Sequence, residues 1–180
     1  MSERIYRPDG EIGQPTVTLA PAPGALGGLR IGVLDNGKPN AALVMTRLAE
    51  SIAKRVDATV SLVTKKGPQG RSANAAIPCA PDVFARVLGE SDFVITGTAD
   101  CGSCTAYSVY DAIELEKMGT PAIVVTTTQF ATIAETMSEH FGLADTRRLV
   151  LPHPIGGTDA VTLESWADDA VDTALTLLRP

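Results

Sequence analysis

Phe93-Val94-Ile95-Thr96 and Ala122-Ile123-Val124-Val125-Thr126 are two short, β-branched apolar runs on either side of a helix-like stretch at 103–118. Their spacing reads as one strand-helix-strand unit, whose two strands must run parallel because the helix carries the chain back to the starting edge. The end of the helix is marked by Lys117-Met118-Gly119-Thr120-Pro121. Glycine there takes the left-handed conformation after the last turn, and proline blocks further helix.

Outward from this unit the alternation repeats. Candidate strands at 29–34, 59–64 and 148–151 join those at 93–96 and 122–126, and candidate helices at 40–54, 81–88, 130–141 and 163–178 join the one at 103–118. Pro81 suits the first turn of its helix, where the missing N–H has no intrahelical acceptor. The pattern predicts a three-layer α/β sandwich around a mostly parallel sheet of about five strands. Residues 1–28 differ: Pro8, Pro15, Pro21, Pro23 and many glycines cannot sustain a helix and supply at most one extended piece at 15–19. They read as an arm preceding a single α/β catalytic domain at 29–180. No repeat of 20 to 50 residues suggests a solenoid.

Composition narrows the function. With 180 residues, 44% hydrophobic and 20% charged, the chain is long enough and apolar enough for one soluble domain with a real core. A net charge of −6 without any Lys/Arg block argues against a nucleic-acid surface, which needs concentrated positive charge. No apolar run reaches the roughly 20 residues of a membrane span, and the amino terminus lacks the apolar stretch of a signal peptide. The expected location is the cytoplasm. Three cysteines, an odd number in a reducing compartment, do not make a disulfide scaffold.

Ligands bind to open parallel sheets in the crevice at the carboxyl ends of the strands. That rule gathers Asp35-Asn36-Gly37-Lys38-Pro39-Asn40, Gly97-Thr98-Ala99-Asp100-Cys101-Gly102-Ser103-Cys104, Thr126-Thr127-Thr128-Gln129 and Pro152-His153-Pro154 onto one rim. Cys101 and Cys104 straddle the start of a helix, and a spacing of three puts both on one face of its first turn. Unpaired N–H groups and the positive end of the helix dipole stabilise a thiolate there, below the free value of about 8.5. Cys101 reads as the nucleophile and Cys104, one turn inside, as the thiol that resolves or assists. Asp100 opposes this by its charge unless it points away or acts as a base. The rival readings are two small residues packing a tight turn and a zinc site, although structural zinc wants four ligands in two such pairs. Cys79 reads as incidental.

The run 97–105, with Asp111-Ala112-Ile113-Glu114-Leu115-Glu116 and Gly119-Thr120-Pro121, resembles the UGSC family, named for a Sec/Cys-Gly-Ser-Cys motif. Leu34-Asp35-Asn36-Gly37-Lys38-Pro39-Asn40-Ala41 and Pro152-His153-Pro154 resemble it too, so the likeness covers about residues 29–157. Some members carry selenocysteine at the position of Cys101, which implies that this atom does chemistry. A more distant similarity links the segment to the selenoprotein subunits of glycine and proline reductases, which attack an activated carbon with selenolate. With cysteine in that position, the resemblance favours a milder thiol mechanism.

His153 is the candidate general acid or base, because a pKa near 6.5 permits proton transfer at neutral pH. The alternative is a histidine that caps its own loop. Lys38 is a candidate anchor for a substrate carboxylate, or else a solvated loop lysine. Asp35, Asn36, Asn40, Thr98, Asp100, Gly102, Ser103 and Thr127 complete the expected substrate-binding set, although Asp-Asn-Gly is also a common turn. Ser103 and one of Thr126, Thr127 and Thr128 are expected to cap helices. His140 reads as structural, at a helix carboxyl end. Lys65-Lys66-Gly67-Pro68-Gln69-Gly70-Arg71-Ser72 reads as a basic flap or a solvated loop. No phosphate-binding G-x-x-x-x-G-K-[ST] or G-x-G-x-x-G stands at the right place, so no nucleotide, other cofactor or metal is expected.

The leading expectation is a cysteine-dependent enzyme on a flavodoxin-like fold, or one like half of an Asp/Glu racemase. Cys101 forms a covalent adduct with a small electrophilic metabolite, by reductive cleavage, substitution or lyase chemistry, with a thiol reductant as possible partner and a homo-oligomer as the expected assembly. The alternatives are a cofactor-free cysteine racemase, isomerase or decarboxylase, and a non-catalytic redox-sensing or accessory subunit.

Overall fold

The computed structural model describes residues 17–65 and 75–179. Along the chain these form β1 (Arg30–Asp35), α1 (Ala41–Val56), β2 (Thr59–Thr64), α2 (Pro81–Glu90), β3 (Phe93–Ala99) and α3 (Gly102–Lys117). They continue with β4 (Ala122–Thr127), α4 (Ala131–His140), β5 (Arg147–Leu151), α5 (Ala160–Asp169) and α6 (Val171–Leu177). All strand pairs are parallel and the order is β2-β1-β3-β4-β5, the flavodoxin-like arrangement. Every residue of β3 and β4 is buried, because helices cover both faces of the sheet. Alternate side chains divide between two cores. Ile31, Val33, Ile95, Ile123 and Val125 pack with α1, α5 and α6, and Leu34, Val94 and Val124 pack with α2, α3 and α4.

The expected elements are present with boundaries shifted by a few residues, except at the carboxyl end. The single helix expected at 163–178 is two, beginning at Ala160 behind an Asp159 cap and interrupted at Ala170. Of the extended piece expected at 15–19, Pro15 and Thr16 lie outside the described residues. Residues 17–19 join no strand, although Val17 N–H donates to Gly142 O (3.2 Å). The described part of the arm is fastened to the body through a buried ion pair between Glu116 and Arg147, whose side chains are 0% and 6% exposed. Glu116 also accepts from the N–H groups of Ala20 (2.7 Å) and Ala122 (2.9 Å), and Arg147 donates to Ala20 O (2.9 Å) and Leu177 O (3.0 Å). Two opposite charges this deeply buried are tolerated because their remaining hydrogen-bonding groups are satisfied by backbone.

Candidate functional site

The chain leaves β1 toward α1 on one face and leaves β3 toward α3 on the other, so the adjacent carboxyl ends of β1 and β3 open a crevice. Asn36 braces it. This residue is 1% exposed; its N–H donates to Gly97 O (3.0 Å) and its amide nitrogen to Thr98 O (2.9 Å) and Ser108 Oγ (3.3 Å). Asp35 Oδ1 accepts from Gly37 N–H (2.8 Å) and Asn36 Oδ1 from Lys38 N–H (3.2 Å), two side-chain turns that shape the loop. Gly97 has φ of 145°, and a Cβ there would lie 2.7 Å from Val125 O, so only glycine lets β3 pass β4 at this point. The β3–β4 register shifts between Gly97 and Ala99, and the Gly97–Thr98 peptide is cis.

Cys101 stands at the N-cap of α3 with extended backbone (φ −152°, ψ 162°), and its sulfur accepts from Cys104 N–H (3.4 Å). Ser103, the cap expected from the sequence, is exposed in the first turn instead, as is Gly102. The cysteine side chain occupies the place a capping oxygen would take, and its sulfur meets the unpaired N–H groups there. Cys101 is half-buried and Cys104 is wholly buried. A disulfide joins them across a Cα separation of 5.5 Å. Thr105 seals the turn from below, donating N–H (2.9 Å) and Oγ1 (2.6 Å) to Cys101 O.

The β5–α5 loop, 152–159, reaches back over the crevice. Asn40 donates its amide nitrogen to Ile155 O and Thr158 O (both 3.0 Å), and Asp100 Oδ2 accepts from Gly156 N–H (3.2 Å). Asn40 therefore ties loops together rather than capping α1, and it has left-handed φ of 63°, which asparagine tolerates. His153 is exposed; its Nδ1 lies 3.2 Å from Thr127 Oγ1 and its ring 5.7 Å from that of Phe130. The His153–Pro154 peptide is cis.

Lys38 is half-buried and has no ion pair among the described residues. Thr98 is fully buried with its hydroxyl unpartnered, and Asp100 Oδ1 is likewise shut off from solvent without a donor. The cap expected among Thr126, Thr127 and Thr128 is not formed. Thr126 donates to Ala99 O (3.1 Å), Thr127 meets His153, and α4 has Phe130 at its N-cap, without a side-chain cap hydrogen bond. Ser108, Phe130 and Gly156 are site residues that sequence reasoning missed, because nothing in a single sequence marks a hydroxyl inside a helix or a loop amide as a partner across the rim.

Other expected residues lie elsewhere. His140 ends α4, exposed, with its ring 5.3 Å from Phe141. Lys65, expected in a basic flap or a solvated loop, is instead a buried ion-pair partner of Asp111 (2.6 Å), and residues 66–74 lie outside the described residues. Cys79 lines a hollow of about 220 Å³ with Pro78, Pro81, Phe84, Tyr110 and Asp111. Burial, then the Asp111 charge, pushes its thiol up to about 12. A larger hollow of about 440 Å³, between residues 17–21 and the carboxyl end of α3, is at the far end of that helix from Cys101. Among the described residues no three His, Cys, Asp or Glu side chains are grouped to hold a metal ion, and no helix is long and apolar enough to cross a membrane.

The chain belongs to the UGSC family, whose model matches residues 4–179. No curated protein matches it. Among solved structures it is similar to an NAD(P)H:quinone oxidoreductase from Methanothermobacter marburgensis, at 14% identity over 82% of this chain and 99% of that one, with a TM-score of 0.48. A short-chain flavodoxin associated with a non-canonical PDU bacterial microcompartment aligns at 13% identity over 81% and 99%, with a TM-score of 0.45. An FMN-dependent NADH-azoreductase from Bacillus anthracis str. Ames Ancestor, in complex with FMN, aligns at 9% identity over 83% and 99%, with a TM-score of 0.44.

In flavodoxin itself FMN occupies the β1/β3 crevice. The residues here do not fit a flavin phosphate. A phosphate needs free loop N–H groups, yet those of Gly37, Lys38 and Ala41 are taken by Asp35 Oδ1, Asn36 Oδ1 and Lys38 O, and Asp35 adds a like charge.

Proposed function

We propose that this protein is a cysteine-dependent enzyme in which Cys101 forms a covalent adduct with a small, electrophilic, carboxylate-bearing metabolite and Cys104 resolves it. The observation that carries the reading is the division between the two sulfurs: Cys101 half-exposed at the N-cap of α3, Cys104 fully buried one turn on and within bonding reach. Membership in a family named for its Sec/Cys-Gly-Ser-Cys motif supports it.

The Cys101 thiolate attacks a carbon next to a carbonyl; a C–S bond forms and the leaving group departs with its electron pair. Cys104, as thiolate, then attacks the Cys101 sulfur. The S–S bond forms as the C–S bond breaks, and the released pair, delocalised into the carbonyl, takes a proton from His153. The substrate gains two electrons, the dithiol loses two, and a cellular dithiol reductant restores the pair. Lys38, half-buried and without an ion pair among the described residues, is the cation for the substrate carboxylate.

The test is iodoacetamide labelling of the reduced protein across a pH series, read by intact mass and peptide mapping, on wild type and Cys104→Ser. The expected result is selective labelling of Cys101 with an apparent pKa well below about 8.5, and closure of the disulfide on oxidation. If Cys101 reacts no faster than Cys79 and no disulfide closes, the reading is overturned.

A further inference from the structure

One carboxylate at the rim lacks a donor for half of its hydrogen-bonding capacity. Asp100 immediately precedes Cys101; its Oδ2 accepts from Gly156 N–H (3.2 Å), whereas its Oδ1 is closed off from water and meets no donor. A buried acceptor left unmatched is costly, and native proteins retain few of them. The structure holds the cysteine pair oxidised, the state in which neither sulfur carries a proton. Reduction returns a thiolate to Cys101 at the N-cap and an S–H to Cys104 in the first turn of the helix that Asp100 leads into. The groups able to titrate on the surrounding elements are Asp35 and Lys38 before α1, Cys101, Cys104 and Tyr107 around the start of α3, and His153 and Asp159 before α5; β4 contributes only the hydroxyls of Thr126 and Thr127. Asp35 already accepts from Gly37 N–H, Asp159 caps α5 through Thr162 N–H, and His153 is turned to Thr127.

We propose that Asp100 is the proton acceptor of the thiol cycle, taking the Cys104 proton on Oδ1 as Cys104 attacks the adduct on Cys101, while Oδ2 keeps the His153 loop in place. This deepens the function proposed above and rests on it. With a mixed disulfide as the adduct the step balances. Asp100 takes the proton from Cys104, and the resulting thiolate attacks the Cys101 sulfur. The Cys101–Cys104 bond forms, the bond to the outer sulfur breaks, and the leaving thiolate takes up the proton that Asp100 holds. Atoms and charge balance in this step, and the cellular dithiol reductant named above reopens the Cys101–Cys104 disulfide for the next cycle.

The experiment uses the reduced full chain and bis(hydroxyethyl) disulfide, with acid quenching and intact mass to separate formation of the mixed disulfide from its closure. Asp100→Asn retains an oxygen for the Gly156 N–H but cannot take a proton. Wild-type closure is expected to vary little between pH 6 and 8. Closure in Asp100→Asn is expected to slow about 10-fold or more at pH 6 and to climb with pH toward the free-thiol range near 8.5. A wild-type rate and profile in the variant overturns the proposal, as does slowing by the same factor at every pH, which marks a purely structural role. Should the variant not fold, the wild type alone decides, because closure that rises tenfold per pH unit from 5 to 8.5 excludes an internal acceptor. If no mixed disulfide forms on Cys101, the function proposed above fails with it; if one forms and the variant closes normally, only the role of Asp100 fails.

Discussion

Cys79 and Cys101 are both partly accessible, yet their surroundings act on them in opposite senses. Cys79 is packed among Pro78, Phe84 and the Asp111 carboxylate, where burial and charge hold the thiol protonated, up to about 12. Cys101 faces the N–H groups at the start of α3, which favour the anion. In reduced protein at neutral pH, iodoacetamide should therefore reach Cys101 about 100-fold or more ahead of Cys79, as read by peptide mapping; comparable labelling would refute the contrast. Gly97 is the other residue whose environment dictates its identity. Gly97→Ala places a methyl 2.7 Å from Val125 O at φ 145°, and should cost about 2–4 kcal/mol by urea unfolding. A loss under 0.5 kcal/mol would mean that the β3–β4 bulge relaxes readily. In the sequence Gly97 looked like one more loop glycine, because its obstacle, Val125 O, lies on a different strand.

At the scale of elements, Asp111 on α3 holds both ends of the connection between β2 and α2. Its Oδ2 meets Lys65 Nζ (2.6 Å) and its Oδ1 accepts from Cys79 N–H (2.8 Å), while Lys65 also donates to Ile77 O (2.7 Å). The two side chains are 3% and 2% exposed, so Lys65→Met strands a buried carboxylate and should destabilise the fold by about 3–5 kcal/mol. Burial already holds Asp111 above the usual carboxylate range, with Lys65 opposing it. An acid raised in the folded state contributes stability below its unfolded pKa, near 3.9, and loses it as pH rises through the folded value. The Lys65→Met deficit should accordingly shrink as pH is lowered toward 4, and a constant deficit in urea titrations would contradict this. The alternation of strands and helices was legible because β3 and β4, covered on both faces, read as unbroken apolar runs. The interruption at Ala170 was not, because no Gly or Pro marks it. The Lys65–Asp111 and Glu116–Arg147 pairs were invisible for a different reason: each partner alone resembles a surface charge, and a single sequence contains no distances. At the candidate site, the convergence of four loops followed from the parallel sheet, whereas the cap at Cys101 went against the usual preference for an oxygen.

At the scale of the molecule, the layer of α1, α5 and α6 sets where the β5–α5 loop can lie, and so where His153 and the Gly156 amide meet the rim. Arg47 and Ser51 on α1 both reach Asp168 on α5, with Arg47 Nη2 at 2.6 Å and Ser51 Oγ at 2.6 Å, and Arg55 pairs with Asp172 on α6. The hydrogen bonds from Arg47 and then Ser51 hold the Asp168 carboxyl down at about 2. A depressed acid contributes stability that is complete above its unfolded pKa, near 3.9, and is lost as pH falls through the folded value. Because the Asp168 side chain is 41% exposed, screening by water limits the effect to about 0.5–1 kcal/mol. Asp168→Asn should therefore unfold in less urea than wild type at pH 6, the gap should narrow from pH 4 to pH 2, and added salt should narrow it at pH 6 as well. A gap that persists undiminished at pH 2 would mean that the amide disturbs packing between α1 and α5 rather than removing a charge. Hydrogen exchange on the same variant carries the argument to the site. If α5 anchors the loop, the Gly156 amide, which is bonded to Asp100, should exchange faster in Asp168→Asn at pH 6 while the amides of β3 keep their protection. Unchanged exchange at Gly156 would place the control of that loop in Asn40 and Asp100 alone.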